Sequence, residues 1–200
     1  MSTRSVIATG TEQKWRGHFC HWDGYPSAKG PDLWAIVKRD GLDAARARFL
    51  EEYATWSTIS ATQPNIEGVT PDKGAPFGSP EQVASYFAPG GIYGESLINV
   101  PGYGTAHRPD PEQSEWIITN DGPDGGTEWA YVLSDTALVI FERRYGDPET
   151  DDGHGTGMFG FGASDTDAGG YWKLVGTYPW DSAEPQWDDV ENSTRDAATP

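Results

Sequence analysis

The sequence predicts a single α+β domain: an antiparallel sheet of about five or six strands, with two or three helices mainly on one face. Three observations carry this. β-branched and aromatic runs with period-two alternation occur towards both ends of the chain, two segments between them show helical spacing of apolar residues, and 200 residues with 36% hydrophobic content suit one core. Nine Trp among 12% aromatic residues imply that a few large side chains supply much of the buried area. The domain is expected over residues 1–180, with an acidic, glycine-rich loop insert at 146–170 and an acidic, flexible tail at 181–200.

The first strand is Ser5–Thr9 (SVIAT), ending at Gly10, and Lys14–Trp22 (KWRGHFCHW) is its hairpin partner. Alternation puts Trp15, Phe19 and His21 on one face and Lys14, Arg16, His18, Cys20 and Trp22 on the other. Asp23-Gly24 stops the strand, and Pro26 and Gly30-Pro31 punctuate the chain before a helix. That helix is Asp32–Arg39, with Leu33, Ile36 and Val37 on one side and Gly41 at its end. A second helix, Asp43–Thr55, follows from Leu42, Ala45, Phe49, Tyr53 and Trp56 recurring at three and four residues.

From Ser60 to about Glu115 the pattern loosens, with only a short hint of order at Glu81–Phe87. The glycines of GGIYGESLINVPGYG, residues 90–104, lack the lysine and the strand-to-helix context of a phosphate loop, and no cofactor is expected. Glu115–Thr119, Thr127–Leu133 and Thr136–Arg144 read as an antiparallel meander. In its last strand Val139 and Phe141 alternate against Leu138, Ile140 and Glu142. A final strand is expected at Tyr171–Thr177.

Charge limits the partners. Fourteen Lys and Arg stand against 31 Asp and Glu, a formal net charge of −17, so free duplex nucleic acid and anionic membranes are repelled over most of the surface. About ten of these net charges fall between Asp147 and Pro200, in the loop and tail; mimicry of nucleic-acid phosphate would instead need charges fixed on a rigid face. One cysteine rules out an internal disulfide, and the start MSTRSVIATG has no apolar signal core. No run approaches the roughly 18 apolar residues of a membrane span. A cytoplasmic protein is expected.

Candidate chemistry clusters in residues 17–30, GHFCHWDGYPSAKG. Zinc would accept His18, Cys20 and His21, but strand alternation points His21 away from the other two, and His107 or His154 would have to complete the set; no metal is expected. The same alternation separates Cys20 from His21 as a nucleophile and its base, leaving His18 as the better partner. Asp23, at a strand end beside His21, Trp22 and Tyr25, could serve as a general base or an imidazole-orienting carboxylate, but Asp-Gly is a common turn and the turn role is the favoured reading. Trp15, Trp22, Tyr25 and Trp34 are either a stacking platform, with Arg4 or Arg16 near a phosphate, or core. Asp151, Asp152, Asp165 and Asp167 match no calcium-loop spacing and read as a solvated acidic loop.

The start TRSVIAT, the string CHWDGYP and the paired strands TEWAYVLSDTALVIFERRY together resemble a family of small uncharacterised proteins of tailed bacteriophages and some bacteria. The likeness covers residues 3–30 and 127–145, and this chain departs from it by its expanded middle, its acidic insert and its acidic tail. The resemblance implies a shared patch of Thr3, Arg4, Ser5, His21, Trp22, Asp23, Gly24 and Tyr25. It brings no catalytic role with it.

The expectation is therefore a phage-type accessory protein of the host cytoplasm that acts by binding, either blocking a host defence factor or sequestering a small nucleotide-like ligand. The alternatives are a small hydrolase or transferase working through His21 and Asp23 with Arg4 on an anion, and a virion structural or interaction protein. Hairpin pairing would bring Thr3, Arg4 and Ser5 to the same end of the sheet as His21 and Asp23.

Overall fold

The computed structural model describes residues 3–53, 55–63, 97–107, 117–122, 126–145, 154–155 and 170–196. Ten strands make one sheet among them: β1 Ser5–Gly10, β2 Trp15–Cys20, β3 Trp56–Ile59, β4 Leu97–Val100, β5 Gly104–His107, β6 Ile117–Thr119, β7 Trp129–Leu133, β8 Ala137–Tyr145, β9 His154–Gly155 and β10 Gly170–Pro179. The helices are α1 Pro26–Asp40, α2 Leu42–Arg46 with a π-helical turn at Ala47–Glu51, and α3 Trp187–Asp196. The α+β class and the expected hairpins β1–β2 and β7–β8 are present.

The sheet is larger than expected, and it is mixed. Its main path runs β10-β8-β7-β1-β2-β3-β5-β4, with β6 beside β2 and β9 beside β8. β1 pairs parallel with β7, Val6 opposite Ala130 and Ala8 opposite Val132, and β2 pairs parallel with β3 at Cys20 and Trp56. The expected meander is therefore broken: β6 lies on β2, with Ile118 opposite Gly17, and not on β7. A central strand flanked on both edges and covered on both faces favours an unbroken apolar run, and Val6, Ile7 and Ala8 are all fully buried.

Alternation in β1 and β2 divides two cores. Ile7 and Cys20 join the cluster of Leu33, Ile36, Phe49 and Trp187, so the helices cover this face. Val6, Ala8, Trp15 and Phe19 join Ile118, Ala130, Val132, Val139 and Phe141 on the other face, all from strands. The split of Leu138 and Ile140 from Val139 and Phe141 follows the same rule.

Helix α1 begins six residues before the expected start. Pro26 occupies the first turn, where its missing N–H costs nothing, so Gly30 and Pro31 lie inside the helix and do not precede it. Gly41 ends α1 at φ 87°, and its N–H returns to Val37 O at 2.9 Å. The second helix is cut short: the chain widens into the π turn, and Trp56, placed on its apolar stripe by spacing, begins β3 instead. The π turn exposes two carbonyls to side chains from the sheet: Trp56 Nε1 donates to Phe49 O at 3.1 Å, and His18 Nε2 lies 3.2 Å from Leu50 O.

Within the acidic tail, residues 187–196 form α3, whose Trp187, Val190, Glu191 and Thr194 are buried. Tail composition suggested flexibility, but a spacing of three and four residues gives these four side chains one shared face. Glu191 accepts hydrogen bonds from the Ser27 hydroxyl at 2.5 Å and the Ser27 N–H at 3.3 Å, and Arg144 donates to Thr194 O at 3.0 Å. The hint at Glu81–Phe87, the glycines of 90–96 and the aspartates 151, 152, 165 and 167 lie outside the described residues.

Candidate functional site at the end of the central hairpin

Register places the first pair of site residues. Ser5 lies opposite Cys20, so one step further out Arg4 lies opposite His21, on the strand-only face of the sheet that also carries Phe19. The same step in the neighbouring strands reaches Glu128 ahead of β7, whose N–H donates to Arg4 O at 2.9 Å, then Arg143 on β8 and Trp172 on β10. Trp172, Arg143, Glu128, Arg4 and His21 thus form one row across five neighbouring chain segments. Arg143 is packed away within it, its guanidinium 5.2 Å from the Trp172 ring centre and 5.8 Å from that of Tyr145.

His21 continues the sheet beyond β2. Its N–H donates to Trp56 O, and that of Trp22 to Ser57 O, both at 3.0 Å. His107, at the end of β5, donates its N–H to Thr55 O at 2.9 Å. From there it shares the face of Phe19 and His21, two strands across from β2.

His21 lies within electrostatic reach of both Arg4 and His107. Burial lowers the His21 pKa from its ordinary value and the Arg4 guanidinium lowers it further; His107 is lowered by burial first and then by His21. All three side chains are partly exposed. The ring of Trp22, 45% exposed, lies edge to face with His21 at 4.5 Å, and Phe19 backs His21 at 5.9 Å. The arrangement offers a permanent cation, two titratable imidazoles and an open indole, chemistry suited to an anion carrying a planar group.

The turn that follows is built tightly. Asp23 sits at φ 53°, a left-handed conformation that Asp tolerates better than most residues, and its exposed carboxylate makes no hydrogen bond among the described residues. Gly24 donates its N–H to Thr3 O at 2.9 Å, and a Cβ there would come within 2.8 Å of the Arg4 carbonyl carbon. The buried Tyr131 hydroxyl holds Gly24 O at 2.7 Å. Tyr25 caps α1 with its carbonyl, which receives the N–H groups of Ala28 and Lys29.

The structure therefore brings Arg4, His21 and Trp22 together, while Thr3 meets the Gly24 N–H through its carbonyl, Ser5 points into the helix-covered face and Asp23 into solvent. Cys20 is fully buried on the helix side with its sulfur 4.0 Å from Trp22 O and Ser57 O, away from His21. His18 is occupied by Leu50 O. Among the described residues no three His, Cys, Asp or Glu side chains gather to hold a metal ion. Trp15 and Trp34 belong to separate cores, Trp34 stacking near Trp180 and Trp187, so the four aromatics form no common platform; Trp22 alone of them is open.

His107 is the residue that sequence reasoning left among distant loops. A signal existed: LINV and GTAH flank the turn PGY, a short hairpin whose last residue is this histidine. Gly104 at φ 130° supports it, since a Cβ there would lie 2.2 Å from Thr58 O. What no local pattern shows is that β5 joins the sheet beside β3, on the far side of β2. No protein-family model, curated protein or solved structure matches the chain. No helix among the described residues is long and apolar enough to cross a membrane.

Proposed function

We propose that this protein binds a small, nucleotide-like anion at the end of its central hairpin, and acts by binding it without turnover. The observation that carries this reading is the meeting of Arg4, His21 and His107 beside the exposed Trp22 ring, in a chain of net charge −17. The net charge of −17 repels anions over most of the surface, so a local cationic group is selective for a small ligand that fits among those side chains and against a long polyanion. Trp22 offers a face for a base, and Arg4 a fixed charge for a phosphate. The exposed carboxylate of Asp23, which makes no hydrogen bond among the described residues, weighs against the hydrolase reading, which needs it near His21. A sequestering role in a phage-infected host cytoplasm accords with the resemblance of residues 3–30.

Calorimetric titration with AMP, GMP, CMP, UMP and ADP, followed by chromatography of the mixtures, tests this. Saturable one-to-one binding with the nucleotide recovered unchanged is the expected result. Absence of heat with all five at high concentration overturns it, and conversion of any of them favours the enzyme.

A further inference from the structure

The two imidazoles are placed for more than contact. His21 and His107 face the same side of the sheet from β2 and β5, with Arg4 in register beside His21 and the buried Phe19 ring behind it. Among the described residues the charged groups facing this pair are few. From β1 comes Arg4; ahead of β7, beyond Arg4 in the same row, comes Glu128, with Arg143 on β8 further along; β3 and Trp22 contribute no charge. Three cationic or potentially cationic groups therefore converge on one small region, and Glu128 is separated from His21 by the width of β1.

We propose that His21 and His107 bind a phosphate-type dianion with uptake of protons from solvent, one imidazole nitrogen gaining a proton on each histidine that faces the bound charge. Arg4 supplies the permanent charge that admits the ligand. Without the anion, burial first lowers the pKa of both rings; Arg4 lowers that of His21 further, and His21 that of His107. A dianion between them reverses the sign of that interaction and raises both pKa values. Binding then strengthens as pH falls towards the pKa of the empty site, because between that pKa and the raised pKa of the occupied site each proton taken up makes affinity change by about tenfold per pH unit. This rests on the nucleotide-like ligand proposed above and names its charged group and its regulation.

The test needs a ligand whose own charge stays fixed while histidine titrates. Adenosine 5′-phosphosulfate meets this need, having no titrating phosphate in that range, and adenosine serves as the uncharged control. Calorimetry in two buffers of different ionisation enthalpy counts the protons taken up, and affinity is followed over about two pH units centred on neutrality. Wild-type protein is expected to take up one to two protons and to lose about ten- to a hundredfold in affinity per pH unit. His21→Gln and His107→Gln should each flatten the slope, and the double substitution should bind weakly at all pH values, with circular dichroism confirming that each remains folded. Binding of equal strength across the range, with no proton uptake, overturns the proton coupling and leaves the ligand class intact. No binding at any pH overturns both.

Discussion

Gly30 of α1 lies against the Trp187 indole of α3 so closely that a Cβ at residue 30 would stand 2.3 Å from the ring carbon Cε3. The contact explains a glycine in mid-helix, where it would otherwise cost about 1 kcal/mol relative to alanine. Gly30→Ala is therefore expected to destabilise despite its better helix propensity, by about 1–3 kcal/mol of overpacking. Urea denaturation measures it; a stabilised Gly30→Ala protein would show that α3 is not held this way.

Trp22 separates folding from binding. Because its ring is 45% exposed, Trp22→Ala should change stability by no more than about 0.5 kcal/mol. Loss of a stacking face costs about 1–3 kcal/mol per base, roughly five- to 150-fold in affinity for AMP. Unchanged AMP affinity would remove Trp22 from the site.

The hydroxyl of Tyr131 ties the buried sheet to the Asp23-Gly24 turn through its 2.7 Å bond to Gly24 O. Burial first, and then the Glu191 carboxylate, keep its pKa well above the ordinary value, so it remains a neutral donor. Tyr131→Phe should cost about 0.5–1.5 kcal/mol. It should also speed hydrogen exchange at the Gly24 amide, which depends on the same turn.

Below neutral pH the histidines oppose folding. Burial, with the neighbouring charges, holds the pKa values of His21 and His107 below the ordinary 6.5 that they regain on unfolding. The unfolded chain thus binds more protons as pH falls through that value, and stability declines there. Thermal melts from about pH 7.5 to pH 5 should show the decline, reduced in His21→Gln and His107→Gln.

A separate acid limit comes from Asp40. The Arg39 guanidinium, at 2.7–2.8 Å, and the Tyr103 hydroxyl, at 2.6 Å, hydrogen-bond its carboxylate and hold its pKa down to about 2. Its contribution is complete above the ordinary value of 3.8 and is lost as pH falls through about 2. Asp40→Asn should therefore be less stable than wild type near neutrality and closer to it in strong acid. Denaturant midpoints at the two pH values check this.

The alternation of Trp15 and Phe19 against Cys20 was legible because side chains in a strand follow the pleat whatever the strand pairs with. The same holds for Val139 and Phe141 in β8. Helix starts were less legible: Pro26 and Gly30-Pro31 read as punctuation, since a first-turn proline and a close-packed glycine have the same letters as a loop. In α3, local composition suggested solvation, whereas one face of Trp187, Val190, Glu191 and Thr194 finds a partner only once α1 is in place.

By itself, the sequence determined the class of the fold, the two tight hairpins and the approach of Arg4 to His21, because these depend on short-range alternation and hairpin register. Tertiary structure alone decided that β1 pairs parallel with β7, that β6 lies on β2 and that His107 arrives beside His21. Those pairings join residues far apart in the chain, and burial on two faces chooses among strands that look alike locally. The candidate site stands at the junction of the two kinds of information: half of it is written in a hairpin, and the other half is delivered by a strand whose neighbour only the complete sheet selects.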